Sequence, residues 1–357
     1  MQKKLIALAV AALASGAAFA QSNVQIYGSI DMGFSHRGDN IADDVKSQNA
    51  IDSGISAGNR LGFKCTEDLG NGLKALFTME AGYTADVGNH TQGGRLFGRQ
   101  VFVGLTGGFG TAIAGRLYTP HYSFLSTIDP FKAGTVGRYN NTYGSDISGL
   151  LDPVRVDNAV AYVSPSFSGF NVTAAYSNNA DGQEAVGNGS QQNRVYAILP
   201  RYTNGPIDVA LNYHQIKAAD GSGVDDITNW LVGGTYDFGM AKLAAFYSSN
   251  KIDFDNTSDD LKVKNWMLGV TVPFGKHAVM GSYNYSKAKL AGSDGKAKQW
   301  ALGYTYSLSK RTNVYAAYAD ISNDDDDFVR VADTGDSTNA AGAGYQNGFQ
   351  FGVKHTF

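Results

Sequence analysis

The chain of 357 residues holds a single cysteine, Cys65, so no internal disulfide can staple it. Beyond residue 20 it has no run approaching the ~20 apolar residues that a helical membrane span needs, which excludes crossing by helices but not by strands. Proline is scarce, at 7 residues, so few backbone donors are missing from a sheet ladder. No sign of charge dominates: 29 basic residues stand against 32 acidic ones, which gives no support to a nucleic-acid partner. The six histidines (positions 36, 90, 121, 214, 277 and 355) lack metal-ligand spacing, and neither a metal nor a cofactor is expected. Gly54-Ile55-Ser56-Ala57-Gly58 fits the nucleophile-elbow pattern but precedes a strand instead of joining a strand to a helix, so enzymatic chemistry is not expected either.

What the chain does have is glycine (44), tyrosine (20) and phenylalanine (19), a composition suited to short strands and tight turns. Met1–Lys4, the apolar stretch Leu5–Phe19 and Ala18-Phe19-Ala20 have the form of a cleaved signal peptide over residues 1–20. Removing Lys3 and Lys4 with it leaves 27 basic residues against 32 acidic, a net charge of −5 on residues 21–357. From Gln21 onward, runs of ten or so alternating residues are separated by connections that are alternately long and short. Gly70-Asn71-Gly72, Gly107–Gly110, Phe238-Gly239-Met240 and Ser309-Lys310-Arg311 are short; 180–192, 218–226, 250–261 and 322–341 are long and polar. The count is about sixteen strands.

The faces of these runs separate oil from water. Lys298–Leu308 sets Trp300, Leu302, Tyr304 and Tyr306 against Gln299, Gly303 and Thr305; Gly344–Phe357 sets Tyr345, Phe349, Phe351 and Val353 against Gln346, Gln350 and Lys354. Aromatics gather beside the short turns (Phe109, Phe167, Phe238, Phe274), as an interfacial girdle would. An unpaired backbone amide in hydrocarbon costs several kcal/mol, so such a sheet must close on itself. The expected fold is all-β, a 16-stranded antiparallel transmembrane β-barrel, wide enough to hold water.

One stretch breaks the rhythm. About 118–154, opening at Thr119-Pro120 and containing Asp129-Pro130, Gly134, Gly137 and Asp152-Pro153, has no strand-length alternation. So long an irregular segment argues for a function, and it is expected to fold into the lumen and narrow it. Charge at the narrowest cross-section would then set selectivity. Arg60, Lys64 and Arg116 are the wall candidates, Arg116 because Ile113 and Leu117 lie on the opposite face; Arg138 is the basic candidate on the segment, and Asp129 and Asp146 are its acidic partners. A basic wall facing an acidic loop would make a transverse field. Asp324–Asp327 is read as a solvated loop rather than a divalent-cation site bridging lipopolysaccharide.

The stretches Arg60–Gly70, Arg99–Gly110, Ala114–Pro120 and Val160–Phe170, with the terminal Phe357, resemble the trimeric general porins of β-proteobacterial outer membranes. Cys65 departs from the glycine common there. The resemblance implies a homotrimer in the outer membrane among lipids and lipopolysaccharide, a third loop inside the lumen, and passive diffusion of small hydrophilic solutes and ions with a weak anion preference. It also places Arg99 in the lumen and makes Phe357 the signal read by the barrel assembly machinery. A substrate-specific channel for a small anionic metabolite remains the alternative. An outer-membrane hydrolase would need fewer strands and a clustered acid/His or Ser/His set, neither of which is visible.

Overall fold

The computed structural model describes residues 24–40, 47–143, 151, 153–182, 192–255, 260–290, 293–324 and 345–357. The seventeen strands among them are β1 (Gln25–Asn40), β2 (Gln48–Ser53), β3 (Arg60–Gly70), β4 (Leu73–Gly82), β5 (Gln100–Gly107), β6 (Gly110–Tyr118), β7 (Arg155–Val163), β8 (Phe170–Ser177) and β9 (Arg194–Asn204); then β10 (Ile207–Lys217), β11 (Val224–Asp237), β12 (Lys242–Phe254), β13 (Asp260–Phe274), β14 (His277–Leu290), β15 (Ser293–Ser307), β16 (Thr312–Asp324) and β17 (Tyr345–Thr356). All pairings are antiparallel, between chain neighbours from β3 onward, and β1 closes the sheet against β17, from Ser29↔Thr356 to Asn40↔Tyr345. Both β2 and β3 pair with β1, at Met32–Arg37 and Gln25–Ser29, so they act as one interrupted stave and the barrel has sixteen. Among the described residues every strand except the short β2 is paired on both sides, as a sheet in hydrocarbon requires.

The interruption is built inward. Asp31 of β1 accepts from the amides of Ser56 and Ala57 at 2.7 and 2.8 Å, while Asn59 Oδ1 accepts from the Asp31 amide at 2.7 Å. The Gly54–Gly58 motif is this bend.

Alternation delivers two different surfaces. On β15, Trp300 and Leu302 are exposed on the outside, while Gln299 and Ala301 are buried within. Asn212, Asn229, Asn250, Asn265 and Asn284 continue a buried amide row around the inner wall. Phe109, Phe167, Phe238 and Phe274 are exposed at the short-turn rim.

The segment between β6 and β7 begins with α1 (Pro120–Ile128). Thr119 caps it, its hydroxyl accepting from the Tyr122 amide, and Pro120 fills the first turn, where no N–H is needed. Phe124, Leu125 and Ile128 are buried in one apolar cluster with Leu199, Ala210, Leu231 and Phe246 of the wall, each burial contributing roughly 1.5–3 kcal/mol. Beyond the helix the segment reaches the far side of the barrel. The Val136 amide donates to Gln350 Oε1 at 2.8 Å, Asn141 Nδ2 to Gln299 Oε1 at 2.8 Å, and the Thr135 amide to the Ile55 carbonyl at 2.7 Å. The inner surface is therefore polar in part and apolar where the segment docks.

Candidate functional site: a basic cavity between wall and segment

A cavity of about 190 Å³ lies between the inward bend, the start of β7 and residues Lys132–Asn140 of the segment. Five basic side chains line it, Arg60, Arg99, Lys132, Arg138 and Arg155, and no carboxylate does among the described residues. On the other side of the segment, toward the short turns, a second cavity of about 620 Å³ carries Lys242 and Lys354 and shares Arg60 and Lys132 with the first. Those two cations border both cavities.

Partners fix most of these groups. Arg99 Nε donates to Glu80 Oε1 at 2.7 Å, and Tyr27 donates to the other oxygen of Glu80 at 3.0 Å. Arg99 and Arg155 both donate to the Tyr118 hydroxyl, at 2.7 and 2.8 Å. Arg138 Nε donates to Asn141 Oδ1 at 2.9 Å, and Arg60 Nε to the Gly58 carbonyl at 3.3 Å. Lys132 stands on a left-handed backbone (φ 55°), exposed.

The structure thus brings Arg60, Arg99 and Arg138 together. Lys64 shares the inward face of Arg60 but sits nearer the short turn, its Nζ 5.1 Å from the Tyr27 ring centre, and lines neither cavity. Arg116 is not in the lumen. It pairs in register with Val101, on the outer face, and binds Asp157 together with Arg95 and the Gly98 carbonyl. Ile113 and Leu117 do oppose it, but they point inward, into the apolar cluster under the segment. A bulge between Gly115 and Leu117 also shifts the register, with Gly115 at φ 145° where a Cβ would meet the Val101 carbonyl at 2.1 Å.

Asp129 borders the second cavity, but it is 2% exposed and its oxygens are turned to its own segment's backbone. Its carboxylate is buried and accepts the amides of Phe131 (3.1 Å), Ala133 (2.8 Å) and Tyr139 (3.3 Å), holding the turn beyond α1 in shape. Asp146 lies outside the described residues, as do Asp325–Asp327; Asp324 sits within 4 Å of Lys296 and Lys298. Lys132 and Arg155 went unnoticed in the sequence. Arg155 was findable as the first residue of β7, whereas the position of Lys132 depends on the turn that Asp129 builds.

Burial pushes the Asp129 carboxyl up to about 6, against the amides that pull it down. The docked carboxyl holds its proton more tightly than a solvated one. Docking therefore gains stability as pH falls from about 6 toward the ordinary 3.8, and loses it again as pH rises through that window. Open-channel current noise should be lower at pH 5 than at pH 8; equal noise at both would remove Asp129 as the cause.

The Gram-negative porin family model matches residues 7–326. The chain belongs to the Gram-negative porin family. The porin is 35% identical to an outer membrane porin of Bordetella pertussis over 88% of this chain and 93% of that one. It is 34% identical to outer membrane porin protein 32 of Delftia acidovorans over 100% of both. Among solved structures, the anion-selective porin from Comamonas acidovorans matches with a TM-score of 0.78 at 30% identity, covering 94% of this chain and 100% of that one. The porin's place is the outer membrane, crossed by its strands.

Proposed function

We propose that the described residues of the segment at about 118–154 form the constriction of this porin, and that small hydrophilic solutes and ions diffuse past it with a preference for anions. The observation that carries this is the cavity lined by five cations and no carboxylate among the described residues. The anion selectivity named for the Comamonas acidovorans structure supports the same reading. At physiological salt the screening length is about 8 Å, so these charges act only where the passage is narrow and the preference is modest. No step of catalysis is part of this function. We assign the working form as a homotrimer, on family membership and the apolar outer wall, with Phe357 as the assembly signal; its backbone already exchanges two hydrogen bonds with Gly28 at the barrel seam.

In planar bilayers under a KCl gradient, the reversal potential should show chloride favoured over potassium. Arg60→Glu or Lys132→Glu should lower that permeability ratio about twofold or more, and further in dilute salt where screening weakens. Arg116→Gln should leave it unchanged, because that guanidinium faces outward. A wild-type channel that favours potassium would end the reading. The confined volume, about 190 Å³, also favours a second reading, a channel for one small anionic metabolite. Saturable block of the current by such an anion at micromolar concentration would select it.

A further inference from the structure

At the long-loop ends of β12–β15 the inward residues fix which face is which. Ile252, Val263 and Ala297 are buried on the inner face, and Ala288 packs against the same cluster as Val263. The alternate positions therefore stand outside, and they carry lysines. Lys251, Lys262 and Lys289 are direct cross-strand partners in one row; Lys264, Lys287 and Lys296 form a second row, nearer the membrane. The next row down on the same outer face is Tyr247, Trp266 and Tyr285, continued by Lys298 of β15. Such aromatics mark the membrane interface, and long loops lie on the extracellular side, so the lysines sit at the headgroup level of the outer leaflet. Like charges directly opposite on neighbouring strands are destabilising, yet the wall keeps two rows of them. Aspartates answer only part: Lys251 bonds Asp253 at 2.5 Å, Lys287 pairs with Asp294, and Lys296 with Asp324 at 3.3 Å. Lys264 and Lys289 are exposed, with no carboxylate within ion-pair distance among the described residues. On these four strands seven outward lysines face only Asp253, Asp260 and Asp294, and β16 adds Asp320 and Asp324.

We propose that these rows are a docking surface for a doubly phosphorylated glycolipid of the outer leaflet, its phosphates over the lysines and its acyl chains along the wall below. Charge and position select this occupant. An ammonium binds phosphate as a point charge, with no fixed plane to match, so phosphates on one sugar headgroup can neutralise both rows. Rows two residues apart lie about 7 Å from one another and neighbouring strands about 5 Å, a patch too wide for a single phosphate. Directly below, a groove of about 1230 Å³ runs down the outer wall past Trp266, lined by Val232, Leu243, Leu268 and Val270. Its lining is almost wholly apolar, which suits acyl chains. The bound headgroup removes the repulsion between facing lysines, which the aspartates remove only in part.

The test is thermal unfolding of the full-length porin in detergent with EDTA, titrated with diphosphoryl lipid A. Wild type should unfold at a higher temperature with that lipid, and dephosphorylated lipid A should give no shift. In the double variant Lys264→Gln, Lys289→Gln the lipid concentration giving half the shift should rise about tenfold or more, the scale of two lysines at an anionic lipid surface. Those two ammonium groups leave no aspartate unpaired, so without lipid the variant should unfold at or above the wild-type temperature, because cross-strand repulsion is relieved. Lys310→Gln, on a short turn at the other rim, should bind lipid as wild type does. An equal shift from the dephosphorylated lipid, or equal half-saturation in the double variant, refutes the surface. A shift as large from phosphatidylglycerol, with its one phosphate, refutes the two-row occupant. All these lysines face away from the lumen, so the double variant should keep the wild-type chloride-over-potassium ratio, and failure here leaves the function above standing.

Discussion

Asp129→Ala should release the folded-in segment from the wall and give a larger, noisier single-channel conductance, with strand content unchanged. The substitution leaves the amides of Phe131, Ala133 and Tyr139 without their acceptor. Each amide left unpaired and buried costs about 1–3 kcal/mol, and relief comes only by exposing the turn to lumen water. That turn carries Lys132, and the 3₁₀ turn Tyr139–Asn141 that follows carries Asn141, whose side chain ties the segment to Gln299. Losing it would free one side of the basic cavity. Asp129→Asn should act in the same direction but more weakly, because in either orientation its NH2 group would face at least one amide that now donates to the carboxylate. A conductance and noise level equal to wild type in Asp129→Ala would show that the segment is held by its apolar contacts alone.

The barrel was legible because most strands repeat the same two-sided pattern: Trp300, Leu302 and Tyr304 against Gln299, Ala301 and Gly303 need no tertiary knowledge to read. The site was legible only in part. Alternation states that Arg116 and Leu117 point to opposite sides; it does not state which side is the lumen. Where nothing covers the inner wall, the polar face is the inner one and the rule works, as at Arg60. Under the segment the rule inverts, because Leu117, Val156 and Leu199 are inward and buried against Phe124 and its neighbours. An apolar inner face and an apolar outer face look alike in sequence, so β5 and β6 gave no correct direction for Arg116. Asp129 failed for a different reason. A carboxylate in an irregular stretch reads equally as a charge for solutes or as an acceptor for its own backbone, and only the positions of three nearby amides decide. The helix had its signal in Thr119-Pro120, a cap followed by a residue suited to the first turn.

Two wall glycines are sockets for the segment, and filling either should change the channel in the opposite sense to Asp129→Ala. A Cβ at Gly303 of β15 would lie 2.7 Å from Phe131 Cε1, and one at Gly269 of β13 would lie 2.5 Å from Pro130 Cγ. Real side chains do not pack that closely, and the nearest obstacle at each is a ring of the segment, with the Met280 tip of the wall also 3.0 Å away at Gly303. Gly303→Leu or Gly269→Val overpacks the seam, at a cost of about 1–3 kcal/mol, and pushes residues 130–131 off the wall. The segment's other flank carries Lys132 and faces Arg60 across the passage. Displacement in that direction narrows the passage, so conductance should fall while Asp129→Ala raises it. Gly281→Ala supplies the contrast, since its nearest neighbour would be 3.6 Å away, an ordinary contact, and it should conduct as wild type. Opposite signs from one loosened and one crowded segment would tie conductance to the segment's position. Wild-type conductance in Gly303→Leu would mean that Phe131 finds another seat and that the segment does not set the width of the passage.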